Sequence, residues 1–342
     1  MIPVTVLTGF LGSGKTTLLA RLLKSPALAR TAVIINEFGA VGIDHDLVEA
    51  GEESFVELET GCICCAVRGD LEATLADLMA RRTSGQVSAF ERIVIETSGL
   101  ADPAPVLQAL MLESARNGAI GIGRVVCLVD AVTGPAMLAS EPQSARQVAA
   151  ADLLVLTKTD LLISAPDEVL AQVRRLNPGA DVVVASFGAV DAEALLAPSP
   201  DGPVDWLARL GAPPDAPHLF EARGEARVGA LALGGHDPSV GFVVVRRQTP
   251  ICAATLPLFL EALADQCGAG LLRLKGIVAI AERPEQPAVI HGVQHLVHAP
   301  VWLDRWPSAD RTTRIVLIGR GLSETWAELL LDAIEAEVGE VS

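Results

Sequence analysis

The sequence predicts an α/β fold in which a doubly wound, mostly parallel sheet is followed by a smaller α+β domain. Short apolar runs alternate with helical patterns from residue 1 to residue 196. Most runs are near-continuous Val, Ile and Leu, which is typical of strands buried on both faces of a parallel sheet. A stretch rich in Pro, Gly and Asp then interrupts the chain, and the pattern after it no longer alternates.

Six apolar runs of the first region are predicted as strands, and they cover residues 4–8, 32–36, 92–96, 124–130, 153–157 and 181–185. Helical patterns lie between them, among them residues 15–24, 70–82 and 167–176. This strand–helix repetition predicts a first domain over residues 1–196.

Residues 197–217 are predicted as a linker because turn-forming residues dominate there. In the last region, residues 218–342, strands are predicted at 240–247, 271–282, 287–300 and 312–322, and helices at 256–266 and 324–337. That order indicates a small α+β domain.

The charge balance argues against a nucleic-acid partner, and the short apolar runs argue against a membrane-spanning helix. The 26 basic and 42 acidic residues give a formal charge of −16, which repels a phosphodiester backbone, so no nucleic acid is expected as a partner. No signal peptide is recognisable, and the apolar runs are well short of the ~20 residues that a membrane helix needs. We therefore expect no membrane association and a cytoplasmic protein whose thiols stay reduced.

A glycine-rich motif, "GFLGSGKTT" at residues 9–17, lies between the first strand and the first helix. The motif fits the P-loop pattern of nucleoside triphosphatases at Gly9, Gly14, Lys15 and Thr16. The glycines let successive N–H groups point at the phosphates of the nucleotide. Lys15 is expected to neutralise the β and γ phosphates and to act in catalysis, and the Thr16 hydroxyl is expected to hold Mg²⁺.

The segment "VIETSG", residues 94–99, ends an apolar strand with a carboxylate. Glu96 stands where an acid would face the Mg²⁺ shell, and Gly99 turns the chain beside the nucleotide. The alternative is that Glu96 is an ordinary polar strand end.

A second motif, "LTKTD" at residues 156–160, indicates the identity of the base. It resembles the N-K-x-D motif of GTPases, with Thr157 in place of Asn. Asp160 can accept two hydrogen bonds from guanine, whereas adenine cannot donate them, which favours GTP over ATP. Lys158 is expected to lie along the base plane, and Ala185 with Ser186 is a further candidate for contacting the base.

Three of the six cysteines crowd into "GCICCAVRGD", residues 61–70, which we interpret as one tight turn. Cys62, Cys64 and Cys65 offer soft thiolates that suit Zn²⁺, Co²⁺ or Cu(I). Three thiolates leave at least one coordination position open, which would allow metal transfer. The alternatives are a structural cluster and a redox site.

These motifs together resemble a known family. The segments "GFLGSGKTTLL", "NEFGAVGIDHDLV", "GCICC", "ETSGLADP" and "TKTD" are similar to those of the CobW family of metallochaperone GTPases, and the region from "LLRLKGIVAIAE" to "TTRIVLIGRGL" is similar to the C-terminal domain of that family. The resemblance implies GTP hydrolysis coupled to delivery of zinc or cobalt. It also implies a metalloprotein client or a cobalamin-pathway protein as the recipient.

The resemblance assigns roles by matching position. Cys62, Cys64 and Cys65 would be the metal thiolates, and Thr16 and Glu96 would belong to the Mg²⁺ environment. The phosphates would be bound by Gly12, Ser13, Gly14, Lys15, Thr16 and Thr17. Residues 36–44 would be the switch region, with Glu37 as its catalytic candidate and Asp44 as a second charged contact.

The chain departs from the family in two places. Ala40 stands where many members carry a glutamate, and the linker lacks their His-rich stretch, so storage of several ions is not expected.

Four histidines remain open between a metal-binding and a structural role. His45 lies near the switch and could supply a fourth ligand. On one continuous strand His291 and His295 would share a face, whereas His298 would not. Cys127, Cys252 and Cys267 are predicted to serve packing.

The resulting hypothesis is a GTP-gated metal carrier, in which the γ-phosphate orders residues 36–46 and thereby brings the thiolates together. No arginine finger is evident, so slow hydrolysis is expected, with a client or a homodimer partner left to supply that arginine. Two alternatives stay open: a nucleotide-independent metal buffer, and a GTP-dependent assembly factor for one metalloenzyme.

Overall fold

The computed structural model describes residues 1–36, 56–57, 63–67, 71–185, 190–196 and 240–341. The chain divides into two compact units, Met1–Leu170 with Asp181–Ser199, and Ala171–Ala180 with Pro200–Ser342. The predicted linker, residues 197–217, lies outside the described residues, so the domain boundaries remain predictions.

Up to residue 196 the described part of the chain alternates strands and helices. The strands are β1 (Ile2–Gly9), β2 (Thr31–Asn36), β3 (Val56–Glu57), β4 (Ile63–Val67), β5 (Arg92–Thr97), β6 (Ile120–Asp130), β7 (Leu153–Thr157) and β8 (Asp181–Val184). The helices are α1 (Lys15–Leu22), α2 (Leu71–Ser84), α3 (Ala104–Asn117), α4 (Gly134–Ser140), α5 (Pro142–Ala150), α6 (Asp167–Leu176) and α7 (Ala192–Leu196), with short 3₁₀ turns at Pro26–Leu28 and Thr159–Leu161.

These strands form one sheet in the order β3-β4-β2-β5-β1-β6-β7-β8. Within the described ranges every neighbouring pair is parallel except β3 with β4. Strand β1 lies between β5 and β6, so the loop that follows it emerges at the carboxyl edge of the sheet, near its centre. Ligands of doubly wound folds bind at this edge. The predicted fold class is confirmed for this region.

Both faces of the central strands β1, β2, β5, β6 and β7 are buried. On one face Leu18, Leu19 and Leu22 of α1 join Leu195 and Leu196 of α7 in a core cluster with alternate residues of the strands. The intervening strand residues, which point to the other face, are also buried, as Val6, Ile34, Ile95 and Leu154 show. Burial on both faces explains why the strands read as continuous apolar runs.

The interpretation of residues 61–70 as one tight turn is wrong for Cys64 and Cys65, which lie in a strand. Residues 63–67 form β4, in parallel register with β2, and Val33 pairs with Cys64 while Ile34 pairs with Cys65. The sequence Ile-Cys-Cys-Ala-Val contains no turn-forming residue, and cysteine behaves as a small apolar residue, which suits a strand. Pairing with β2 satisfies the backbone hydrogen-bonding groups of the segment. Strand β3 pairs with the outer edge of β4 and was also not predicted.

The second unit carries an antiparallel sheet. Its strands are β9 (Val240–Arg247), β10 (Leu271–Val278), β11 (Ala288–Val293), β12 (Leu296–Val297), β13 (Val301–Trp302) and β14 (Thr313–Arg320), and its helices are α8 (Thr255–Cys267) and α9 (Glu324–Val341). The strand order is β12-β11-β10-β14-β9, and β13 also pairs with β11. No helix in the described ranges combines the length and the apolarity that crossing a membrane requires.

Helices α8 and α9 cover one face of this sheet. Phe259 and Leu263 of α8 and Leu331 of α9 pack with Leu274 and Leu317 in a single buried cluster. The prediction of a smaller α+β domain after the parallel sheet is therefore confirmed.

The predicted strand at residues 287–300 is wrong in one respect, because it is a hairpin. The chain reverses after β11, and Gly292 pairs with Val297 in β12. Gln294 has a φ of 54°, the left-handed conformation that two-residue hairpin turns require. His295 follows it in this turn, so His291 and His295 do not lie on one continuous strand.

Candidate nucleotide site and the neighbouring cysteine strand

The loop after β1 has the backbone that its glycines were predicted to permit. Gly9 has a φ of 140°, and a Cβ added there would lie 2.4 Å from the carbonyl oxygen of Leu128. Gly12 and Gly14 have φ values of 75° and 93°, in the left-handed region that favours glycine. The three glycines therefore fix the path of the loop up to α1, which begins at Lys15.

The Lys15 side chain folds back over this loop. Its Nζ donates to the carbonyl oxygen of Gly9 at 2.6 Å and to that of Phe10 at 3.2 Å. The residue is buried. A positive charge is thus held at the loop, where the motif requires a cation for phosphates.

Thr16 and Glu96 meet across the carboxyl edge of the sheet. Thr16 Oγ1 donates to Glu96 Oε1 at 3.1 Å, and Glu96 is only 6% exposed. Glu96 lies in β5, paired with Leu7 on one side and with Ile35 on the other. A hydroxyl beside a carboxylate at the phosphate loop is a hard oxygen donor set, and it fits Mg²⁺.

The chain after β5 packs directly on the phosphate loop. A Cβ on Gly99 would lie 2.9 Å from the backbone nitrogen and 3.0 Å from the Cα of Leu11. Gln147, fully buried in α5, donates from Nε2 to the carbonyl oxygens of Gly99 at 3.1 Å and Ala101 at 3.0 Å.

An ion pair holds the same loop one turn further on. Arg146 of α5 lies 3.1 Å from a carboxylate oxygen of Asp102. The other oxygen of Asp102 accepts from the backbone N–H of Ala104 at 2.9 Å, at the start of α3. Helix α5 therefore fixes the loop that follows Glu96 at two successive points.

The motif at residues 156–160 contacts three other elements through three consecutive residues, Thr157, Lys158 and Thr159. Thr157 Oγ1 donates to the carbonyl oxygen of Ser13 at 2.8 Å. Lys158 Nζ lies 2.7 Å from Asp130 Oδ2, at the end of β6. Thr159 Oγ1 donates to the carbonyl oxygen of Ala185 at 3.0 Å.

These contacts bring the predicted nucleotide residues together in part. Asp160 lies in the 3₁₀ turn Thr159–Leu161, directly after the three contacts. Ala185 accepts the hydrogen bond of Thr159, whereas Ser186 lies outside the described residues. Thr17 lies in α1, where it is exposed.

The cysteine strand lies two strands away from Glu96. Strand β2 pairs on one side with β5, where Ile35 meets Glu96, and on the other with β4, where Ile34 meets Cys65. Neighbouring strands are about 4.8 Å apart, so the backbones of β4 and β5 are separated by about 10 Å. Cys62, and the switch candidates Glu37, Ala40, Asp44 and His45, lie outside the described residues.

Comparisons with known proteins identify the family. Residues 3–184 match the CobW/HypB/UreG nucleotide-binding domain, and residues 240–335 match the C-terminal domain of the cobalamin synthesis protein cobW. The chain belongs to the CobW/HypB/UreG family. The family resemblance predicted from the motifs is confirmed over both regions.

Two similar proteins extend over nearly the whole CobW-family chain, and a third covers about half of it. Zinc chaperone YjiA of Escherichia coli (strain K12) is 30% identical over 323 residues, covering 94% of this chain and 95% of that protein. Zinc chaperone CobW of Sinorhizobium sp is 31% identical over 352 residues, covering 93% and 92%. Zinc-regulated GTPase metalloprotein activator 1 of Schizosaccharomyces pombe is 36% identical over 198 residues, covering 56% of this chain and 47% of that protein.

Solved structures agree with the sequence relatives. The crystal structure of the Zn(II)-bound YjiA GTPase from E. coli has a TM-score of 0.72 to this chain at 28% sequence identity, and covers 97% of this chain and 98% of that one. The prediction that the chain is a P-loop GTPase of the CobW family is therefore confirmed.

The remaining histidine and cysteine candidates do not form a metal site in the described part of this CobW-family chain. No group of three or more metal-binding side chains is found there. His298 donates its backbone N–H to the carbonyl oxygen of His291 at 2.9 Å, as hairpin partners do. Burial, reinforced by the charge of Arg273, lowers the pKa of His298 below its ordinary value.

The isolated cysteines behave largely as predicted. Cys127 is buried in β6, and burial, which outweighs the nearby charge of Lys15, raises the pKa of its thiol to about 12. Cys267 packs against the apolar core of the second unit. Cys252 does more than pack, since its thiol donates to a carboxylate oxygen of Glu282 at 3.0 Å.

Sequence reasoning missed three residues of the site. Thr157 was treated only as a weakened match to asparagine, whereas it hydrogen-bonds the phosphate loop. Asp130 and Gln147 were not considered. The signal for Asp130 was available, because it is a carboxylate ending an apolar strand, as Glu96 is. No local pattern distinguishes Gln147 from other glutamines.

Proposed function

We propose that this GTPase is a GTP-gated carrier of zinc that acts in the cytoplasm. In this proposal GTP binds the phosphate loop and the base-reading turn, and Cys62, Cys64 and Cys65 bind the metal. The metal is held while GTP is bound and passes to a client protein after hydrolysis. The domain boundaries at residues 1–196, 197–217 and 218–342 belong to the same proposal.

The observation that carries the proposal is the position of β2. This strand pairs with Glu96 on one side and with the cysteine strand on the other, and it ends at Asn36, the first residue of the switch candidate at residues 36–46. A change at the γ-phosphate that moves the switch therefore acts on the strand beside Cys64 and Cys65. Two sites that bias one shared element are coupled energetically.

The nucleotide end of the mechanism follows from the described contacts. The loop glycines present the backbone to the phosphates, and Lys15 neutralises their charge once it exchanges its carbonyl partners for phosphate oxygens. Thr16 and Glu96, which are hydrogen-bonded to each other, would hold Mg²⁺, and the ion would supply positive charge to neutralise the phosphates. Asp160 accepts hydrogen bonds from guanine.

The metal end depends on thiolate chemistry. Three thiolates bind a borderline-soft ion such as Zn²⁺ or Co²⁺ and leave a coordination position for an entering ligand from the client. Zinc is favoured because the relatives that span nearly the whole chain are named zinc chaperones. Cobalt remains the comparison metal in the test below.

A protein client is favoured because one relative is named a metalloprotein activator. The region after residue 218 would serve as its docking surface. Hydrolysis by the isolated protein is expected to be slow, with Glu37 of the switch as the catalytic candidate and a missing arginine supplied by the client or by a second copy of the chain.

The test is a competition titration of Zn²⁺ and Co²⁺ on reduced protein, with a non-hydrolysable GTP analogue and Mg²⁺ in one series and GDP in the other. A tenfold or larger shift in the dissociation constant for Zn²⁺, abolished by Cys64→Ala and preserved by Cys267→Ala, would support the carrier. Cys267 is the matched control because it lies in the second unit, against its core.

The alternatives give other results. Equal metal affinity in both series would favour a nucleotide-independent buffer. A tight complex with one metalloenzyme, without transfer of metal to unrelated acceptors, would favour an assembly factor.

A further inference from the structure

Lys158 has a backbone conformation that its residue type does not favour. Its φ is 58° and its ψ is 27°, in the left-handed region where side chains with a Cβ are disfavoured. Such conformations persist only where the surrounding contacts determine them, and they concentrate at functional sites. The contacts around Lys158 therefore indicate what this conformation serves.

The neighbours of Lys158 along the chain are both fixed. Thr157 is hydrogen-bonded to Ser13 of the phosphate loop, and Thr159 is hydrogen-bonded to Ala185 after β8. The backbone on each side of Lys158 is thus held by a different part of the sheet edge. What remains to be set is the disfavoured conformation of Lys158 itself, which directs its long side chain, 40% exposed, and the path of the chain onward to Asp160.

Asp130 sets that direction. Its Oδ2 lies 2.7 Å from Lys158 Nζ. Its Oδ1 accepts from the backbone N–H groups of Val132 at 2.8 Å and Thr133 at 3.1 Å. These two N–H groups of the turn after β6 orient the carboxylate in advance. Asp130 is only 6% exposed, so little water competes for its oxygens. A buried, backbone-oriented carboxylate is an anchor for a lysine rather than a solvated surface charge.

We propose that Asp130 is a positioning residue for guanine recognition. By holding the Lys158 ammonium, Asp130 keeps the lysine stem in place beside the base and keeps Asp160, two residues further on, aimed at the donors of guanine. Asp130 acts through Lys158 and does not itself contact the nucleotide. This inference rests on the proposed base site and deepens it.

The experiment measures binding of GTP and of ITP, which lacks the exocyclic amino group of guanine, to metal-free protein. Asp130→Asn retains an oxygen for the two N–H groups of the turn but loses the charge that holds Lys158. It is expected to weaken GTP binding roughly tenfold. ITP binding should weaken less, because a displaced Asp160 loses two hydrogen bonds to guanine and only one to hypoxanthine.

The double variant separates a positioning role from a structural one. Asp130→Asn should add nothing in a Lys158→Met background, because its effect passes through Lys158. Asp130→Glu should restore part of the GTP/ITP discrimination. Asp181→Asn, which removes the partner of Arg124 at the start of β8, is the control for loss of a different ion pair and should leave the discrimination unchanged.

Two outcomes would overturn the inference and can be told apart. In the first, Lys158→Met weakens GTP binding, but Asp130→Asn either has no effect or weakens binding equally in the wild-type and Lys158→Met backgrounds. Asp130 is then not the positioning residue, and the base site stands. If Lys158→Met leaves GTP binding unchanged, the assignment of the base site fails, and the inference fails with it.

Discussion

The hydroxyl of Thr157 donates a 2.8 Å hydrogen bond to the carbonyl oxygen of Ser13, 144 residues earlier in the chain. This contact joins the motif at residues 156–160 to the phosphate loop. Threonine in place of asparagine therefore retains a polar contact between these two segments.

Replacing Thr157 by Val keeps the side-chain shape and removes this hydrogen bond. We expect weaker binding of both GTP and GDP by roughly fivefold, which corresponds to the loss of about 1 kcal/mol. Equilibrium binding of a fluorescent nucleotide measures the effect. Thr157→Ser, which keeps the hydroxyl, should bind like the wild type, and an unchanged affinity in Thr157→Val would show that the contact does not matter for binding.

Gly99→Ala should disturb the phosphate loop without adding polarity or charge. The new Cβ would lie 2.9 Å from the nitrogen of Leu11, closer than real Cβ contacts allow, so the loop after Glu96 or the phosphate loop must shift. We expect at least a tenfold loss of kcat/KM for GTP, since small misplacements at a reacting centre are costly. Gly339→Ala, where an added Cβ meets nothing within 4 Å, is the control and should retain full activity.

Gln147→Leu removes two hydrogen bonds to the loop that follows Glu96. The carbonyl oxygens of Gly99 and Ala101 lose their buried donor, so we expect the free energy of unfolding to fall by about 1–3 kcal/mol and GTP turnover to fall with it. Denaturant unfolding and steady-state turnover measure both. Gln143→Leu on the same helix is the comparison, and equal effects of the two substitutions would refute a specific role for Gln147.

The ionisation of Asp130 should appear in the acid stability of the protein. Burial alone would raise the pKa of Asp130, but hydrogen bonds from Lys158 and from the backbone of Thr133 and Val132 outweigh it and hold the pKa below its ordinary value. Its charged form therefore stabilises the fold fully above the unfolded pKa of about 3.9, and this contribution is lost as the pH falls through the lower folded pKa.

The pH dependence of stability in wild type and Asp130→Asn tests whether the contribution of Asp130 is lost at acid pH. The difference in unfolding free energy should be constant above about pH 5 and should shrink below about pH 3.9. A difference that grows towards acid pH would contradict the assignment.

The sequence was sufficient for the elements whose patterns are local. Strand 153–157 and helix 167–176 end where they were predicted, because continuous burial leaves an unbroken apolar run and an amphipathic helix leaves a clear period. The phosphate loop was predictable for the same reason, since its three glycines are required by local backbone conformation.

Elsewhere the deciding interaction was remote. The turn predicted at Cys64 and Cys65 is wrong because pairing with β2, about thirty residues away in the sequence, makes them part of a strand. The strand predicted through Gln294 is wrong because glutamine, unlike Gly, Asn or Asp, is not a residue type that favours a turn with positive φ. The contacts of Gln147 with the loop at Gly99 span 48 residues and leave no periodic trace.

The central claim is that nucleotide and metal sites are coupled, and the most direct measurement is the affinity for a non-hydrolysable GTP analogue with saturating Zn²⁺ and again with a chelator. Coupling through β2 must be reciprocal, so zinc should tighten binding of the analogue by the same factor by which the analogue tightens zinc, in the range of about 5–150-fold. Cys64→Ala should abolish the shift. Equal affinity with and without zinc in the wild-type protein would contradict the carrier.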